Sequence, residues 1–367
     1  PSSELSAEAK QASARFKQIA GVGFAGHAGI VDADIGGRQR RIQEVYEKFK
    51  GNTNVHALTE GKGAPLSPDA ALESLEVSDG LSIDLVLSEP LVKQPLYIDF
   101  DERGRMWVVQ YIQYPNPAGL EVLTWDNHLR KVFDAVPPPP PFDRPEHQKF
   151  VGKDKITLHE DTDGDGVFET HKTFLDGLNM CTSLAFDQEG IWVMHPPYLL
   201  FYADRNHDDQ PDGPPEVHLS GFGLEDTHSI ANSLKWGPDG WLYGANGSTT
   251  SLRVTVEGKN DPPVVRAGQL VWRYHPKRRV FEIFAEGGGN NLSCEFDSVG
   301  RLYSGSNTAH VAFYYHQGAY YQKTFGKHGE LSNPHTYGYL PGILHQKYAR
   351  VTNSIMMYEG GELPARF

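Results

Sequence analysis

A single hairpin phrase recurs four times along the chain and constrains its fold more than any other feature. Each copy has an aromatic residue, a turn with Asp and Gly, and a second apolar segment; the copies are residues 100–108, 186–193, 236–244 and 296–304. Asp and Gly favour tight turns because Asp hydrogen-bonds to nearby backbone and Gly reaches positive φ. A recurring hairpin of this kind is typical of β-propeller blades, so the sequence predicts an all-β propeller.

The segments between these copies predict a second, outer hairpin in each repeat. Apolar runs lead into polar turns and return, in the pairs 156–159 with 168–174, 199–202 with 216–219, and 269–274 with 280–284. An inner and an outer hairpin together make a four-stranded blade. We count four such blades in residues 96–350, with a fifth beginning at residue 354. The ring is therefore expected to be incomplete in this chain, and a longer natural polypeptide or another chain would close it.

The first 75 residues differ from the rest of the chain. Two amphipathic segments, residues 5–20 and 37–50, flank a stretch of glycine and small residues, which predicts short helices. We therefore assign residues 1–75 to an N-terminal extension and residues 76–367 to the propeller domain. The sequence leaves open whether this extension packs on the propeller or is a mobile tail.

Composition excludes several functional classes. The formal net charge of -13 argues against a nucleic-acid-binding protein. No apolar run approaches the ~20 residues that a transmembrane helix requires. The chain has two cysteines, Cys181 and Cys294, and whether they pair is left open. It has no Cys-x-x-Cys-His motif, so any covalently attached haem would lie in another part of the polypeptide or on a partner.

The turn between the two outer segments of the first repeat predicts a calcium site. Carboxylates alternate at Asp161, Asp163 and Asp165, and glycine occupies the sixth position. Ca²⁺ prefers about six to eight oxygen ligands, and this spacing wraps carboxylates around one ion. The carbonyl of Val167 and the carboxylate of Glu169 would add further oxygens. A hairpin turn without metal is the alternative.

The next repeat carries a similar turn at the equivalent place. It offers oxygen ligands from five side chains: Asp204, Asn206, Asp208, Gln210 and Asp212. We predict a second calcium ion here. Both sites would be structural, because outer hairpins lie away from the axis of a propeller, where ligands bind.

Loops that join inner strands predict the functional face. Loop 225–228 contains His228, which could accept a hydroxyl proton with Asp226 orienting its ring. Two other loops, 287–291 and 307–310, and the segment 110–114 after the first inner hairpin complete this face. From them we select four candidate cofactor-binding residues: Asn290, Asn291, Gln110 and His310. The alternative for His228 is a residue that only caps a loop in the wall of the axial funnel.

Several longer segments of the sequence resemble a known family. The segments that carry the resemblance are MWVVQY, HEDTDGDG, PPYLLFY, EVHLSGFGLEDTHS, NSLKWGPDGWLYGANGS, LVWRYHP, FEIFAEGGGN and YYQKTFGKHGELSNPHTYGY. From about residue 66 onward, the chain resembles the N-terminal propeller of large planctomycete and verrucomicrobial proteins known as membrane-bound dehydrogenases. Those proteins are secreted and often end in a haem c domain. The resemblance implies a periplasmic, extracellular or cell-surface location.

That family is in turn similar to the soluble quinoprotein glucose and aldose sugar dehydrogenases. These enzymes are six-bladed propellers that use calcium and pyrroloquinoline quinone (PQQ), and a histidine before a Gly-Pro-Asp hairpin is their base. His228, which precedes the hairpin at residues 237–239, stands near that place. The chain departs from the pattern elsewhere: Asn290 stands where the enzymes carry an arginine, Ser248 near their supporting carboxylate, and Val311 near another arginine. Loss of an arginine that grips a carboxylate is not conservative.

Two functional hypotheses follow. The first is an oxidoreductase that oxidises a sugar or another alcohol with PQQ, uses His228 as base and passes electrons to a cytochrome. The second is a calcium-stabilised propeller without catalysis that binds carbohydrate or partner proteins. A glycosidase is less favoured, because the inner loops offer no paired carboxylates apart from Glu225 and Asp226.

Overall fold

The computed structural model describes residues 66–126, 130–306, 310–323, 339–344, 354–361 and 363. The chain divides into two compact units, Pro1–Glu73 and Ser74–Phe367. In the described part of the first unit, helix α1 spans Pro68–Glu73. It begins there because the Ser67 hydroxyl accepts a hydrogen bond from the Ala70 amide at 3.3 Å. The helices predicted at residues 5–20 and 37–50 lie outside the described residues.

The second unit begins with a four-stranded antiparallel sheet, which we name blade 1. The strands to this point are β1 (Pro95–Phe100), β2 (Met106–Gln110), β3 (Val122–Trp125), β4 (Lys131–Phe133), β5 (Asp154–Glu160) and β6 (Thr170–Leu178). Blade 1 has the order β1-β2-β5-β6, and β3 and β4 form a separate hairpin between its second and third strands. A 3₁₀ helix at Pro145–Phe150 precedes β5.

Blades 2 and 3 repeat this meander. Their strands are β7 (Ser183–Asp187), β8 (Gly190–His195), β9 (Tyr198–Ala203), β10 (Glu216–Phe222), β11 (Asn232–Trp236), β12 (Leu242–Asn246), β13 (Ser251–Val256), β14 (Val264–Ala267), β15 (Leu270–His275) and β16 (Val280–Gly288). Blade 2 has the order β7-β8-β9-β10 and is extended at its edge by β13 and β14. Blade 3 has the order β11-β12-β15-β16. The hairpin of β13 and β14 lies between two strands of blade 3 in the sequence but pairs with the edge of blade 2. This hairpin was not predicted.

Blade 4 completes the described strands. It contains β17 (Glu295–Phe296), β18 (Leu302–Gly305), β19 (His310–Tyr315) and β21 (Ile343–Leu344), whereas β20 (Tyr320–Lys323) pairs in parallel with β16. All four predicted inner hairpins are present, as β1–β2, β7–β8, β11–β12 and β17–β18. The predicted fold class, an all-β propeller of four-stranded blades, is therefore confirmed.

Three apolar cores lie between consecutive blades. Trp107 and Ile156 of blade 1 pack against Leu184 of blade 2, while separate clusters join blade 2 to blade 3 and blade 3 to blade 4. Burial of each such side chain contributes about 1.5–3 kcal/mol. Cys181 and Cys294 are both buried and free, in different cores, so they do not form a disulfide.

The first strands of the blades lie closest to the centre of this arrangement. Strand β7 contacts β1 on one side and β11 on the other. The segments that lead into these strands are therefore brought together at one end of the blades. Among the described residues, no helix is both long enough and apolar enough to cross a membrane.

Candidate functional site

A cavity of about 580 Å³ opens where the first strands of the blades begin. Every blade contributes to it at or just before its first strand, through Gln94, Thr182, Asn232 and Glu295. We name it the axial cavity. The other lining residues are Pro95, Leu96, Tyr97, Tyr111, Tyr114, Thr227, His228, Ile230, Ser233, Asn290, Leu292, Ser293, Cys294 and Ser354.

The backbone is strained at two positions in the wall of the axial cavity. Gln94 and Ser233 have φ values of 47° and 59°, in the left-handed region that residues with a side chain rarely adopt. The register of β11 shifts between Asn232 and Lys235, so Ser233 sits in a bulge. Strain of this kind persists where the surrounding structure imposes it, and it is often found at ligand-binding sites.

His228 and Asp226 form a hydrogen-bonded pair at the rim of the cavity. Nδ1 of His228 lies 3.0 Å from Oδ1 of Asp226, and the backbone amide of His228 donates to the same oxygen at 3.2 Å. The hydroxyl of Thr249 donates to the other carboxylate oxygen. The His228 side chain is 63% exposed, so the ring is held from one side and open on the other. The two residues lie close because they are two positions apart in one loop.

The hydrogen bonds around Asp226 keep its carboxylate ionised. Burial raises the pKa of Asp226, but the hydrogen bonds from Thr249 and from the amide and ring of His228 outweigh burial, so its pKa lies below the ordinary value. A carboxylate acceptor at Nδ1 makes that nitrogen the protonated one in the neutral ring, which leaves Nε2 as the basic atom. The pair can therefore accept a proton at Nε2 of His228.

Asn290 joins two loops at the cavity. Its Oδ1 accepts a hydrogen bond from the Ser248 amide at 3.1 Å, and its Nδ2 donates to the His228 carbonyl at 3.4 Å. Gly247 permits this approach, because a Cβ there would lie 2.3 Å from Oδ1 of Asn290. Asn290 is thus both a lining residue and a support for the loop that carries His228.

Tyrosine rings form the aromatic part of the wall. The Tyr114 ring meets the His228 ring edge-on at 5.1 Å, and Tyr111 lies 5.4 Å from Tyr114. The Tyr111 hydroxyl donates to the Thr227 carbonyl at 3.3 Å, and the Tyr97 hydroxyl donates to the Leu234 carbonyl at 3.0 Å. Rings fixed in this way present apolar faces to a ligand.

Three of the predicted cofactor-binding residues do not line the axial cavity. Gln110 is buried within blade 1, where its amide donates to Thr157 at 2.9 Å and its oxygen accepts from the Lys93 amide at 2.8 Å. Asn291 is buried beside Tyr315, whose hydroxyl accepts from its amide at 2.9 Å. His310 begins β19 and packs on Phe313. None of the three side chains therefore lies in the wall of the axial cavity, and their role as cofactor ligands stays a prediction.

Sequence reasoning missed Glu295 in the cavity wall. It is the first residue of β17 and directly follows the buried Cys294. Burial raises the pKa of Glu295, Lys235 lowers it, and Asp99 raises it further, with the net shift upward. A carboxylate at the start of a predicted inner strand is the signal that could have identified this residue.

The first Asp-rich turn gathers its carboxylates. Oxygen atoms of Asp161, Asp163, Asp165 and Glu169 all lie within 4.8 Å of one another. Both oxygens of Asp161 accept backbone hydrogen bonds, from Gly164 at 2.7 Å and from Gly166 at 2.8 Å. Gly166 has a φ of 90°, which explains why glycine occupies the sixth position of this turn. The donor set fits Ca²⁺, and the calcium ion itself, with Val167 as a carbonyl ligand, stays a prediction.

The second Asp-rich turn is held together by protein groups. Asp204 accepts from the amides of Asp208 and Asp209 at 3.1 and 3.2 Å, and the Asn206 amide donates to Asp208 at 3.0 Å. Asp212 accepts from the Arg205 guanidinium at 3.3 Å. In the described part of the chain, no three acidic ligands of this turn come together as they do in the first turn. Gln210 donates its backbone amide to Asp208 at 3.0 Å.

The axial cavity does not fit PQQ well. This quinone carries several carboxylates, which proteins hold with arginine and lysine. Among the described residues that line the axial cavity, none is a lysine or an arginine, and Glu295 adds a carboxylate of its own. The polar lining consists instead of amide, hydroxyl and imidazole groups. These groups suit a polyhydroxylated ligand better than a polyanion.

Comparison with known proteins places the chain in a sequence family. The family described as Domain of unknown function (DUF7133) matches residues 67–361. No curated protein matches the chain.

Several solved structures are distantly similar. The PQQ-bound aldose sugar dehydrogenase of Streptomyces coelicolor is 12% identical with a TM-score of 0.35, over 63% of this chain and 62% of that one. A presumed oxidoreductase (glucose dehydrogenase) from Thermus thermophilus is 14% identical with a TM-score of 0.29, over 68% of this chain and 70% of that one. The extracellular domain of a presumed one-component system from B. thetaiotaomicron is 11% identical with a TM-score of 0.30, over 76% of this chain and 37% of that one.

The chain spans less than two thirds of the length of the aldose sugar dehydrogenase. At these TM-scores the structural similarities carry no argument about function. The family match, by contrast, covers most of the sequence, and the chain therefore belongs to the family described as Domain of unknown function (DUF7133).

Proposed function

We propose that the axial cavity binds a carbohydrate, and that His228 is the group that accepts a hydrogen bond from one of its hydroxyls. The observation that carries this proposal is the convergence, in one cavity, of the tyrosine rings, of Asn290 and of the His228–Asp226 pair. Tyrosine faces pack on the apolar face of a sugar ring, and amides and hydroxyls hydrogen-bond to its hydroxyls. A cavity of about 580 Å³ has room for one or two sugar units.

His228 is suited to this role by its surroundings. Asp226 holds the ring through Nδ1, so Nε2 is the acceptor, and the exposed side of the ring is open to a ligand. Only if the hydroxyl carbon also lost a hydride to an acceptor would the proton pass to His228, and the adjacent carboxylate would then stabilise the imidazolium. The resemblance of the sequence to secreted proteins supports a location in the periplasm or outside the cell.

A sugar or alcohol dehydrogenase is the second candidate, and the His228–Asp226 hydrogen bond favours it. Oxidation of a hydroxyl carbon requires a base and a hydride acceptor. In this hypothesis the hydride acceptor is PQQ, which then passes electrons to a cytochrome. The described lining of the cavity lacks the cations that would hold that quinone. Carbohydrate binding therefore ranks above oxidation.

Isothermal titration calorimetry with a panel of monosaccharides and disaccharides tests the proposal. We expect at least one sugar to bind, and His228→Asn to weaken that binding about five- to tenfold through the loss of one hydrogen bond. His207→Asn, in the exposed second Asp-rich turn, is the matched control and should bind like the wild type. If no sugar binds, the proposal is wrong. Dye reduction with added Ca²⁺ and PQQ, abolished by His228→Asn, would instead establish the dehydrogenase.

A further inference from the structure

We propose that the axial cavity selects carbohydrates that carry a free ammonium group, and that Glu295 binds this group. The inference rests on the proposed carbohydrate-binding function and names its ligand class, the amino sugars. Glu295 lines the cavity from the start of β17, on the same wall as Ser293 and Cys294. It is partly buried, so a carboxylate is present where a bound ligand would be shielded from water.

Among the described residues, Glu295 has no cation of its own. Lys235 lowers its pKa, but the ammonium of Lys235 lies 3.6 Å from the carboxylate of Asp99. One lysine therefore serves two carboxylates. Burial raises the pKa of Glu295, the lysine lowers it and Asp99 raises it again, which indicates that its ionised form lacks a full partner. A ligand ammonium would supply that partner and form a charge-assisted hydrogen bond.

The other residues that line the axial cavity also favour a positively charged ligand. Among its described lining residues there is no lysine or arginine that would repel a cation, and the nearby Asp226 is ionised. The rings of Tyr111 and Tyr114 add the negative faces of aromatic systems, which attract ammonium groups. A neutral or N-acetylated sugar would gain none of these interactions, and an anionic sugar would be repelled.

Calorimetry with glucosamine, glucose and N-acetylglucosamine tests the inference. We expect glucosamine to bind at least about tenfold more tightly than either neutral sugar near neutral pH. Glu295→Gln should reduce this ratio to within about twofold of unity. Glu102→Gln, a matched change at an exposed position of the β1–β2 turn, should keep the wild-type ratio. Thermal unfolding of each variant verifies that the comparison is made between folded proteins.

The outcomes separate this inference from the proposed function. If glucose binds as tightly as glucosamine, or if the preference survives in Glu295→Gln, the role of Glu295 is wrong while carbohydrate binding stands. If none of these three sugars binds but another sugar of the wider panel does, only the preference for amino sugars is wrong; if no sugar of either set binds, both proposals are wrong. The preference should also fade at alkaline pH as the sugar ammonium loses its proton, and a preference that persists there would contradict an electrostatic origin.

Discussion

The two Asp-rich turns have nearly the same sequence spacing and the same place in their blades, yet their acidic side chains are arranged differently and have different partners. Both connect the third strand of a blade to the fourth, between β5 and β6 and between β9 and β10. In the first turn, four carboxylates gather within 4.8 Å of one another. In the second turn, the acidic side chains bond to backbone amides, to Asn206 and to Arg205.

The second turn also differs in having cations that other parts of the protein supply. Asp209 in the second turn is buried, and its oxygens lie 2.8 Å from Arg105 and 2.7 Å from Lys172, both of blade 1. Arg105 also pairs with Asp101 at 2.8 Å. Burial raises the pKa of Asp209, but the hydrogen bonds from Lys172 and Arg105 lower it more. The second turn thus joins two blades through protein cations, whereas the four gathered carboxylates of the first turn form no ion pair among the described residues.

The largest effect is expected from removal of the central carboxylate of the second turn. Asp209→Asn should lower the free energy of unfolding by about 3 kcal/mol, because it leaves a buried Arg105 with one of its partners missing. The control is Asp212→Asn, which breaks the exposed pair with Arg205 and should cost less than about 1 kcal/mol. Urea unfolding in the presence of a chelator measures both. Equal effects of the two substitutions would show that the buried network does not stabilise the contact between blades.

Calcium should stabilise the protein through the first turn. At a free Ca²⁺ concentration about 100 times the Kd, one bound ion raises the free energy of unfolding by about 2.7 kcal/mol. The double variant Asp163→Asn with Asp165→Asn should abolish this rise, since it removes two of the gathered carboxylates. Asp208→Asn in the second turn is the control and should retain it. If Asp208→Asn loses the calcium-dependent rise in Tm while the double variant keeps it, calcium binds the second turn and not the first.

The contribution of the ionised Asp209 carboxylate to stability should decrease in acid. Its pKa in the folded protein lies below the ordinary value of 3.8, so its stabilisation is complete above that pH and is lost as the pH falls through the folded pKa. The gap in unfolding free energy between the wild type and Asp209→Asn should be constant from neutral pH to about pH 5 and should shrink as the pH falls below about 4. A gap that closes near pH 6 would point to a histidine instead.

The smallest effect is expected from an attempt to turn the second Asp-rich turn into a calcium site. Arg205→Gln removes the guanidinium that pairs with Asp212, so this carboxylate becomes available to a cation. We expect a weak gain in calcium-dependent stability, about 0.5–1 kcal/mol, when this change is made in the variant that lacks the Asp163 and Asp165 carboxylates. No gain, with an unchanged Tm, would show that the backbone of this turn also opposes metal binding.

The fold was predictable because its signal is local and repeated. Each inner hairpin carries its own turn residues and aromatic strand, so four copies could be recognised without any knowledge of long-range contacts. The edge hairpin of β13 and β14 could not be foreseen, because it leaves the repeat order and pairs with the neighbouring blade. Spacing alone also could not tell the two Asp-rich turns apart, since Arg105 approaches the second turn from 104 residues away in the sequence.

The candidate site was predictable only in part, because only contacts between residues close in the sequence could be predicted. His228 and Asp226 are two positions apart, so their contact follows from the sequence. Gln110 and Asn291 each lie next to a residue that lines the axial cavity, but the direction in which a side chain points depends on the register with distant partners. Glu295 was overlooked because its importance comes from the cavity around it and from Lys235, neither of which is visible in its own segment.

The central claim is that the axial cavity binds carbohydrate, and a crystal structure of the protein with a bound sugar tests it most directly. We expect sugar density in the axial cavity, packed against Tyr114 and within hydrogen-bond distance of Asn290 and of Nε2 of His228. Glucosamine should place its ammonium against Glu295. Sugar density confined to another surface of the blades, with the axial cavity filled only by water, would contradict the account.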